Sequence, residues 1–395
     1  MTNKYKNSTE LIQLNATPIY MNDMVDACLR GRLNLFLQGD TGSGKTQLAR
    51  DTMRYFGDRA VFILGRNDMD TRELFQQVNL EKLRSAKSSA EIKETTDKIN
   101  YHLIVVDELP NCVPAVRAQL FNLFDGFVEI NGRAYPIGQG YSLGIATGNL
   151  GQRFTESSND LGRALKDRMH VTIDTDYFSP KPSDTVEILS SSTNPRVEFE
   201  AHTQYSFDNI ITKNTELIKK EVPLEKLIIV GYLVHGLDYM DGGLSKRRLK
   251  ENWYTKIEGH QVGSDQSLVL PVSLRAAKSI IRLSQALDDI VREKQGQDTK
   301  IDSFDSMMQA YKFVGAYSGI LNESSVDADY DGDKYKALDA VILATKTQFD
   351  SKTDIIRAGL EMVQRGKLNA KVLNKFSDRW IFMRDILENL TKNQD

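Results

Sequence analysis

The sequence predicts an α/β fold, a parallel sheet flanked by helices, followed by a helical C-terminal region. Three observations predict it. A glycine-rich loop, Gly39-Asp40-Thr41-Gly42-Ser43-Gly44-Lys45-Thr46, stands between the strand-like run Leu33 to Leu37 and the helix-compatible segment Gln47 to Met53. A second apolar run, His102 to Val106, ends in the acids Asp107-Glu108. Strand-like runs then alternate with helix-like segments through the first half of the chain, the pattern of a parallel sheet with helices on both faces.

The loop has the spacing Gly, four residues, Gly, Lys, Thr of a phosphate-binding turn. Its glycines let the backbone wrap tightly enough to aim several N–H groups at one anion, and the helix that follows adds the positive end of its dipole. Lys45 is placed to reach the β- and γ-phosphates, and the Thr46 hydroxyl to take a Mg²⁺ coordination position. Parallel strands point their carboxyl ends at the ligand crevice, so acids at that end meet the phosphates. Asp107 would then hold Mg²⁺ through its water shell, and Glu108 would orient and polarise the attacking water. A strand that merely ends in solvated acids is the bland alternative.

The remaining elements follow in order. Residues from about 16 to 31 read as an amphipathic helix, with Met21, Met24, Val25, Cys28 and Leu29 on one stripe and Gly31 as its stop. Ala60 to Leu64 reads as a second buried strand, and the charged span Asn79 to Asn100 as exposed helix. Pro114 to Phe124 is helical, with Val116, Leu120, Leu123 and Phe124 on one face. Asn131-Gly132 between alternating runs predicts a hairpin within Val128 to Tyr141. Leu143 to Asn149 is the next core strand, and Asn149 at its end either reaches the γ-phosphate or caps a turn.

Composition narrows the classes. With 395 residues the chain has room for two or three domains, and 27% charged against 40% hydrophobic residues is ordinary for a soluble protein. A net charge of −3 gives no global attraction to nucleic acid or anionic membrane. The basic cluster Lys246-Arg247-Arg248, with Lys250, reads as a solvated helix face or loop rather than a nucleic-acid site. Cys28 and Cys112 cannot make a disulfide framework, and the five histidines lack metal-ligand spacing. The polar N-terminus offers no signal-peptide core, and the longest apolar stretch, Leu227 to Leu237, is about half a membrane span. The expectation is a cytoplasmic protein with no membrane partner.

The order of these motifs resembles the AAA+ ATPases, and within them the MoxR type with its CbbQ, NorQ, GvpN and cobalt-chelatase small-subunit families. Gly39 to Thr46 is similar to the CbbQ and NorQ loop, which also has Thr-Gly in its middle. Asp107-Glu108-Leu109-Pro110, with Pro114, Val116 and Leu120, is similar to the family's Asp-Glu segment and following helix. Ala146-Thr147-Gly148-Asn149 resembles the sensor-1 strand. Leu161 to Met169 resembles the stretch bearing the arginine finger, and Pro271 to Ala276 the start of the sensor-2 helix. The resemblance covers residues 16 to about 290.

It implies a P-loop AAA+ core over residues 1–182, an α-helical lid with sensor 2 over 183–295, and a helical C-terminal extension over 296–395. It further implies an ATP hydrolase that binds ATP and Mg²⁺ and works as a homo-oligomeric ring, expected to be a hexamer. Arg168, with Arg163 as its competitor, would be the finger entering the neighbour's site, and Arg275 would touch the γ-phosphate of its own subunit. The implied partner is a protein client, by analogy one with a von Willebrand factor A domain or a metal-dependent enzyme. A nucleic-acid motor of restriction or helicase type, with the hairpin near Arg133 in its pore, and a nucleotide-switched scaffold are the alternatives.

Departures are also visible. The MoxR group carries a hairpin in its second helix, whereas Leu80 to Asp97 here is charged, lacks Gly and reads helical. The span between Arg168 and Arg275 is long for a simple lid, so extra elements are expected around Arg196 to His260. Asp327 to Asp333 imitates the start of an EF-hand loop, but its twelfth position is Leu338, so an acidic turn is expected. On the sensor-2 helix, Ala276, Ile280, Leu283, Leu287 and Ile290 form a core stripe that Ser273 would cap.

Overall fold

A computed structural model describes residues 9–68, 76–78, 93–95, 101–130, 133–149, 166–190, 207–240, 243–249 and 265–392. Contacts divide the chain into two units: Met1–Lys219 with Asp289–Gln295, and Lys220–Asp288 with Gly296–Asp395. One unit break falls after Gln295, where a boundary is expected from sequence; the others fall after Lys219 and Asp288 rather than after residue 182. Of the segment expected as lid, residues 220–288 share the second unit with residues 296–395, whereas 183–219 and 289–295 belong to the first.

The first unit begins with the antiparallel pair β1 (Glu10–Leu14) and β2 (Thr17–Tyr20), followed by α1 (Met21–Gly31). The helix expected from about residue 16 therefore starts at Met21. Its first residues are instead extended, with Leu14 paired to Thr17 and Ile12 to Ile19. Next come β3 (Leu35–Gln38), α2 (Lys45–Phe56), β4 (Ala60–Leu64), β5 (Gln76–Val78), β6 (Lys93–Thr95) and β7 (Leu103–Asp107). They are followed by α3 (Pro114–Phe124), β8 (Phe127–Ile130), β9 (Arg133–Pro136), β10 (Leu143–Gly148) and β11 (Val171–Asp174). Helices α4 (Pro182–Ser190) and α5 (Phe207–Lys219) complete the unit's main elements.

Five strands form one sheet in the order β11-β3-β10-β7-β4, with every neighbouring pair parallel. Both faces are covered, which is why β3, β7 and β10 read as continuous apolar runs and are buried along their length. Phe36, Ile104, Val106, Leu120, Phe124 and Ala146 belong to the core cluster between the sheet and α3. Close packing there requires Gly144: a Cβ at that position would stand 2.1 Å from the Phe124 ring. The hairpin expected around Asn131-Gly132 is present as β8 and β9, with Ile130 opposite Arg133.

The helix expected over Asn79 to Asn100 is contradicted where it is described, since Lys93–Thr95 pairs antiparallel with Gln76–Val78. Both runs are short and polar, so the pairing rests on backbone hydrogen bonds that side-chain periodicity does not announce. The other residues of that span lie outside the described set.

The second unit is helical. It contains α6 (Leu224–Val234), the small pair β12 (Tyr239–Met240) and β13 (Leu244–Ser245), then α7 (Lys246–Leu249) and α8 (Asp265–Leu268). Then follow α9 (Leu274–Gln295, of which Asp289–Gln295 counts with the first unit), α10 (Ser303–Gly315), α11 (Glu323–Tyr330), α12 (Lys334–Gln364), α13 (Ala370–Leu373) and α14 (Phe382–Lys392). Ser273 caps α9 as expected, its Oγ accepting from the Ala276 N–H at 3.0 Å. Trp380, Tyr232, Tyr311, Leu338 and Phe376 are buried in the core of the unit, and the Tyr232 and Trp380 rings lie 5.0 Å apart.

Two expectations in this unit change. Asp327 and Asp329 lie inside α11, Asp331 ends that helix in the left-handed region at φ 55°, and Asp333 caps α12, so two of the acids are helical and two mark helix ends. Lys246 is not on a solvated face. It is fully buried, and its Nζ donates to the carbonyls of Asp265 (2.7 Å) and Val269 (2.8 Å). Arg247 likewise donates to the Val234 and Val272 carbonyls, so this cluster ties backbone together.

Candidate active site

Strand β3 ends at Gln38 in the middle of the sheet, and the chain turns there into the loop Gly39 to Thr46 before α2 starts at Lys45. Gly39, Gly42 and Gly44 have φ of 145°, 84° and 86°, conformations that a side chain rarely tolerates, so the turn depends on them. At Gly39 there is also no room: a Cβ would stand 2.2 Å from Thr175 Oγ1.

Lys45 is buried and folded back along the loop. Its three ammonium protons have three acceptors, Gly39 O at 2.8 Å, Asp40 O at 2.6 Å and Ser43 Oγ at 3.2 Å. Burial lowers its hold on the proton below that of an ordinary lysine, while the negative charges of Asp176, Asp40, Asp107 and Glu108 oppose that shift.

The carboxyl end of β7 delivers the acids. Asp107 Oδ1 accepts from Thr46 Oγ1 at 2.7 Å and from Thr147 Oγ1 at 2.6 Å, so residues of α2, β7 and β10 converge on one oxygen. Thr147 in turn accepts from the Glu108 N–H at 3.0 Å. Glu108 is exposed, in the left-handed region at φ 55°, and its Oε2 accepts from Asn111 Nδ2 at 2.6 Å. A non-glycine residue in this conformation stores backbone strain, held here at a residue whose carboxylate faces solvent.

These groups fit Mg²⁺. Thr46 Oγ1 and Asp107 Oδ1 are hard oxygen donors within hydrogen-bonding distance of each other, beside a loop built for phosphate. Among the described residues no cluster of three or more His, Cys, Asp or Glu could hold a metal ion by itself.

Asn149 follows β10, half-buried, at the same carboxyl edge. Arg168 precedes β11, and its carbonyl accepts from Asn34, which precedes β3, so Arg168 is at the opposite, amino edge of the sheet. With strands of four to six residues that is roughly 13 Å or more from its own phosphate loop. Its Nε bonds Asp125 Oδ2 at 2.9 Å, and its guanidinium lies 5.1 Å from the Phe121 ring centre. Arg275 stands in the first turn of α9, in the second unit. Arg163 lies outside the described residues.

Sequence reasoning missed Thr147 as a bridge, Asn111 on Glu108, and the pair Thr175-Asp176 against the loop. It also missed Asn34, whose side chain donates to Phe124 O (2.9 Å) and Arg168 O (3.0 Å) and accepts from Gly144 N (2.8 Å). The only local signal was polarity within or beside an apolar run.

Residues 34–169 match the model of the AAA domain, dynein-related subfamily. No curated protein sequence matches the chain. Among solved structures, a candidate ATPase from Cytophaga hutchinsonii aligns with a TM-score of 0.57 at 16% identity, over 82% of this chain and 88% of that one. At such identity the likeness speaks for the fold. No described helix is long and apolar enough to cross a membrane. Glycine-rich loop, acid-tipped strand and sheet order agree with the match of residues 34–169 to an AAA domain.

Proposed function

We propose that the chain is a Mg²⁺-dependent AAA+ ATPase of the MoxR type, which assembles as a ring, expected to be hexameric, and uses ATP hydrolysis to remodel or activate a protein client. The observation that carries the catalytic part is the convergence of Thr46 and Thr147 on Asp107 Oδ1 with Glu108 as the next residue. The loop amides from Gly42 to Thr46 and the Lys45 ammonium would hold the β- and γ-phosphates. Mg²⁺, held by Thr46 and by Asp107 through water, would neutralise charge on the transferring phosphoryl group. Glu108, steadied by Asn111 and by its own N–H on Thr147, would orient and polarise the attacking water, with Asn149 beside the γ-phosphate.

The amino-edge position of Arg168 supports action across a subunit interface, because it is far from its own phosphate loop. The MoxR-like motif order supports a protein client, with a von Willebrand factor A domain the first to try. The net charge of −3 favours the protein client over a nucleic-acid motor.

The test is the Glu108→Gln protein, weighed by light scattering on a sizing column with and without Mg·ATP. The expected result is retained nucleotide binding, turnover lowered about 100-fold or more, and a nucleotide-dependent shift to about six subunits. Wild-type turnover in this variant would refute Glu108 as the base. A persistent monomer would refute the ring. Stimulation of the wild-type ATPase by single-stranded DNA or RNA would replace the protein client with the motor.

A further inference from the structure

The turn after β11 grips the phosphate loop at two places. Thr175 Oγ1 lies 2.9 Å from Gln38 O and 2.8 Å from Ser43 Oγ, and the Thr175 N–H donates to Gln38 O at 2.8 Å. Next to it, both carboxylate oxygens of Asp176 accept from the Asp40 N–H, at 2.9 and 2.8 Å. The turn is itself pinned: Asp174 Oδ1 accepts from the N–H groups of Asp176 (2.9 Å) and Tyr177 (3.2 Å), and Asp174 Oδ2 accepts from Gln38 Nε2 at 2.9 Å. The Asp176 backbone is thereby held where its side chain can meet the loop. Of the four acids that act on the Lys45 charge, Asp176 acts most strongly.

A carboxylate here does two things to an incoming polyphosphate. It already holds one amide of the loop, and it sets a fixed negative charge beside the lysine that would receive the phosphates. Resting on the reading of Gly39 to Thr46 as the nucleotide site, we propose that Asp176 is an affinity-setting residue: its carboxylate competes with nucleotide phosphates for the loop and for Lys45, weakening the hold on ATP and ADP and speeding product release. Asp107 and Glu108 also carry negative charge near Lys45, but the proposed reaction employs them. Asp176 has no such task, is exposed, and faces the loop with both oxygens.

The experiment compares full-length wild type with Asp176→Asn, which is nearly the same shape and keeps an acceptor for the Asp40 N–H. Binding of a non-hydrolysable ATP analogue, of ADP and of adenosine is measured by calorimetry at low and high salt, with Lys45→Ala as a control. Removing one charge a few ångströms from the phosphates should tighten both nucleotides about tenfold at low salt, less at high salt, and leave adenosine unchanged. ADP release followed by stopped flow should slow by a similar factor. Unchanged or weaker nucleotide binding in Asp176→Asn, with binding lost in Lys45→Ala, would overturn the proposal and make Asp176 a mere brace. Wild-type binding in Lys45→Ala would instead refute the nucleotide site itself. Circular dichroism and melting temperature of Asp176→Asn, expected to match wild type, check that the loop's surroundings remain folded.

Discussion

Thr46 Oγ1 donates to Asp107 Oδ1 at 2.7 Å, joining the first turn of the helix behind the phosphate loop to a strand two positions away in the sheet. If the two oxygens serve Mg²⁺, removing either should spare metal-free nucleotide binding and abolish metal-dependent turnover. Asp107→Asn is expected to lower phosphate release in Mg²⁺ about 100-fold or more, on the scale of several kcal/mol of lost charge stabilisation. Thr46→Ser, which keeps the hydroxyl, should stay near wild type. Chelation of the metal should bring wild type down to the Asp107→Asn level, and unequal residual rates under chelation would point to another role.

Arg168 has a structural use in its own subunit, through Asp125 and the face of Phe121. The pair is about a quarter exposed, so its contribution to stability should be about 1 kcal/mol or less. A catalytic role across an interface is expected to show as about a thousandfold lower turnover in Arg168→Ala with nucleotide affinity retained. Asp125→Ala breaks the same ion pair and should leave turnover within a few-fold of wild type. Equal losses in the two variants would reduce Arg168 to a brace.

Asn34 joins three backbone groups, the Phe124 and Arg168 carbonyls and the Gly144 N–H. Asn34→Ala leaves buried polar groups without that partner and should destabilise the first unit by about 2–3 kcal/mol. Urea denaturation would measure it. A cost below about 0.5 kcal/mol would mean that these groups find other partners.

Lys246 offers a pH signature. Burial lowers its pKa to about 8 from an ordinary value of 10.5. Between those values the unfolded chain binds more protons than the folded one, so folding grows more favourable as pH rises through that window. The charge is a burden at full strength below about pH 8, relieved toward 10.5 by at most about 3 kcal/mol. Melting temperature of wild type relative to Lys246→Met should therefore climb between pH 8 and about 10. Parallel curves would show that Lys246 does not titrate there.

Legibility followed locality. The loop, the acid-tipped strand, the Asn-Gly hairpin and the Ser273 cap each depend on a few neighbouring residues, and each was readable. The start of α1 was not: Thr17 to Tyr20 fits a helical stripe as well as an edge pair, and pairing with Glu10–Leu14 decides between them. The same holds for Lys93–Thr95, which is extended because Gln76–Val78 lies alongside. In Lys246-Arg247-Arg248 the charge pattern suggested solvent, whereas neighbouring helix ends present carbonyls that take the protons.

By itself, then, the sequence determined the glycine-rich loop, the acid-tipped strand and the class of fold, because backbone reach, glycine freedom and apolar periodicity act over spans of two to ten residues. Only the tertiary structure decided that Thr46, Thr147 and Asp107 share one oxygen, that Asn111 holds Glu108, that Asp176 holds Asp40, and that Arg168 faces away from its own site. Except for Asn111 and Glu108, these relationships join residues from separate elements. They follow from the order and register in which five parallel strands pack, and that order is set by the burial of the whole sheet, not by any one segment of it.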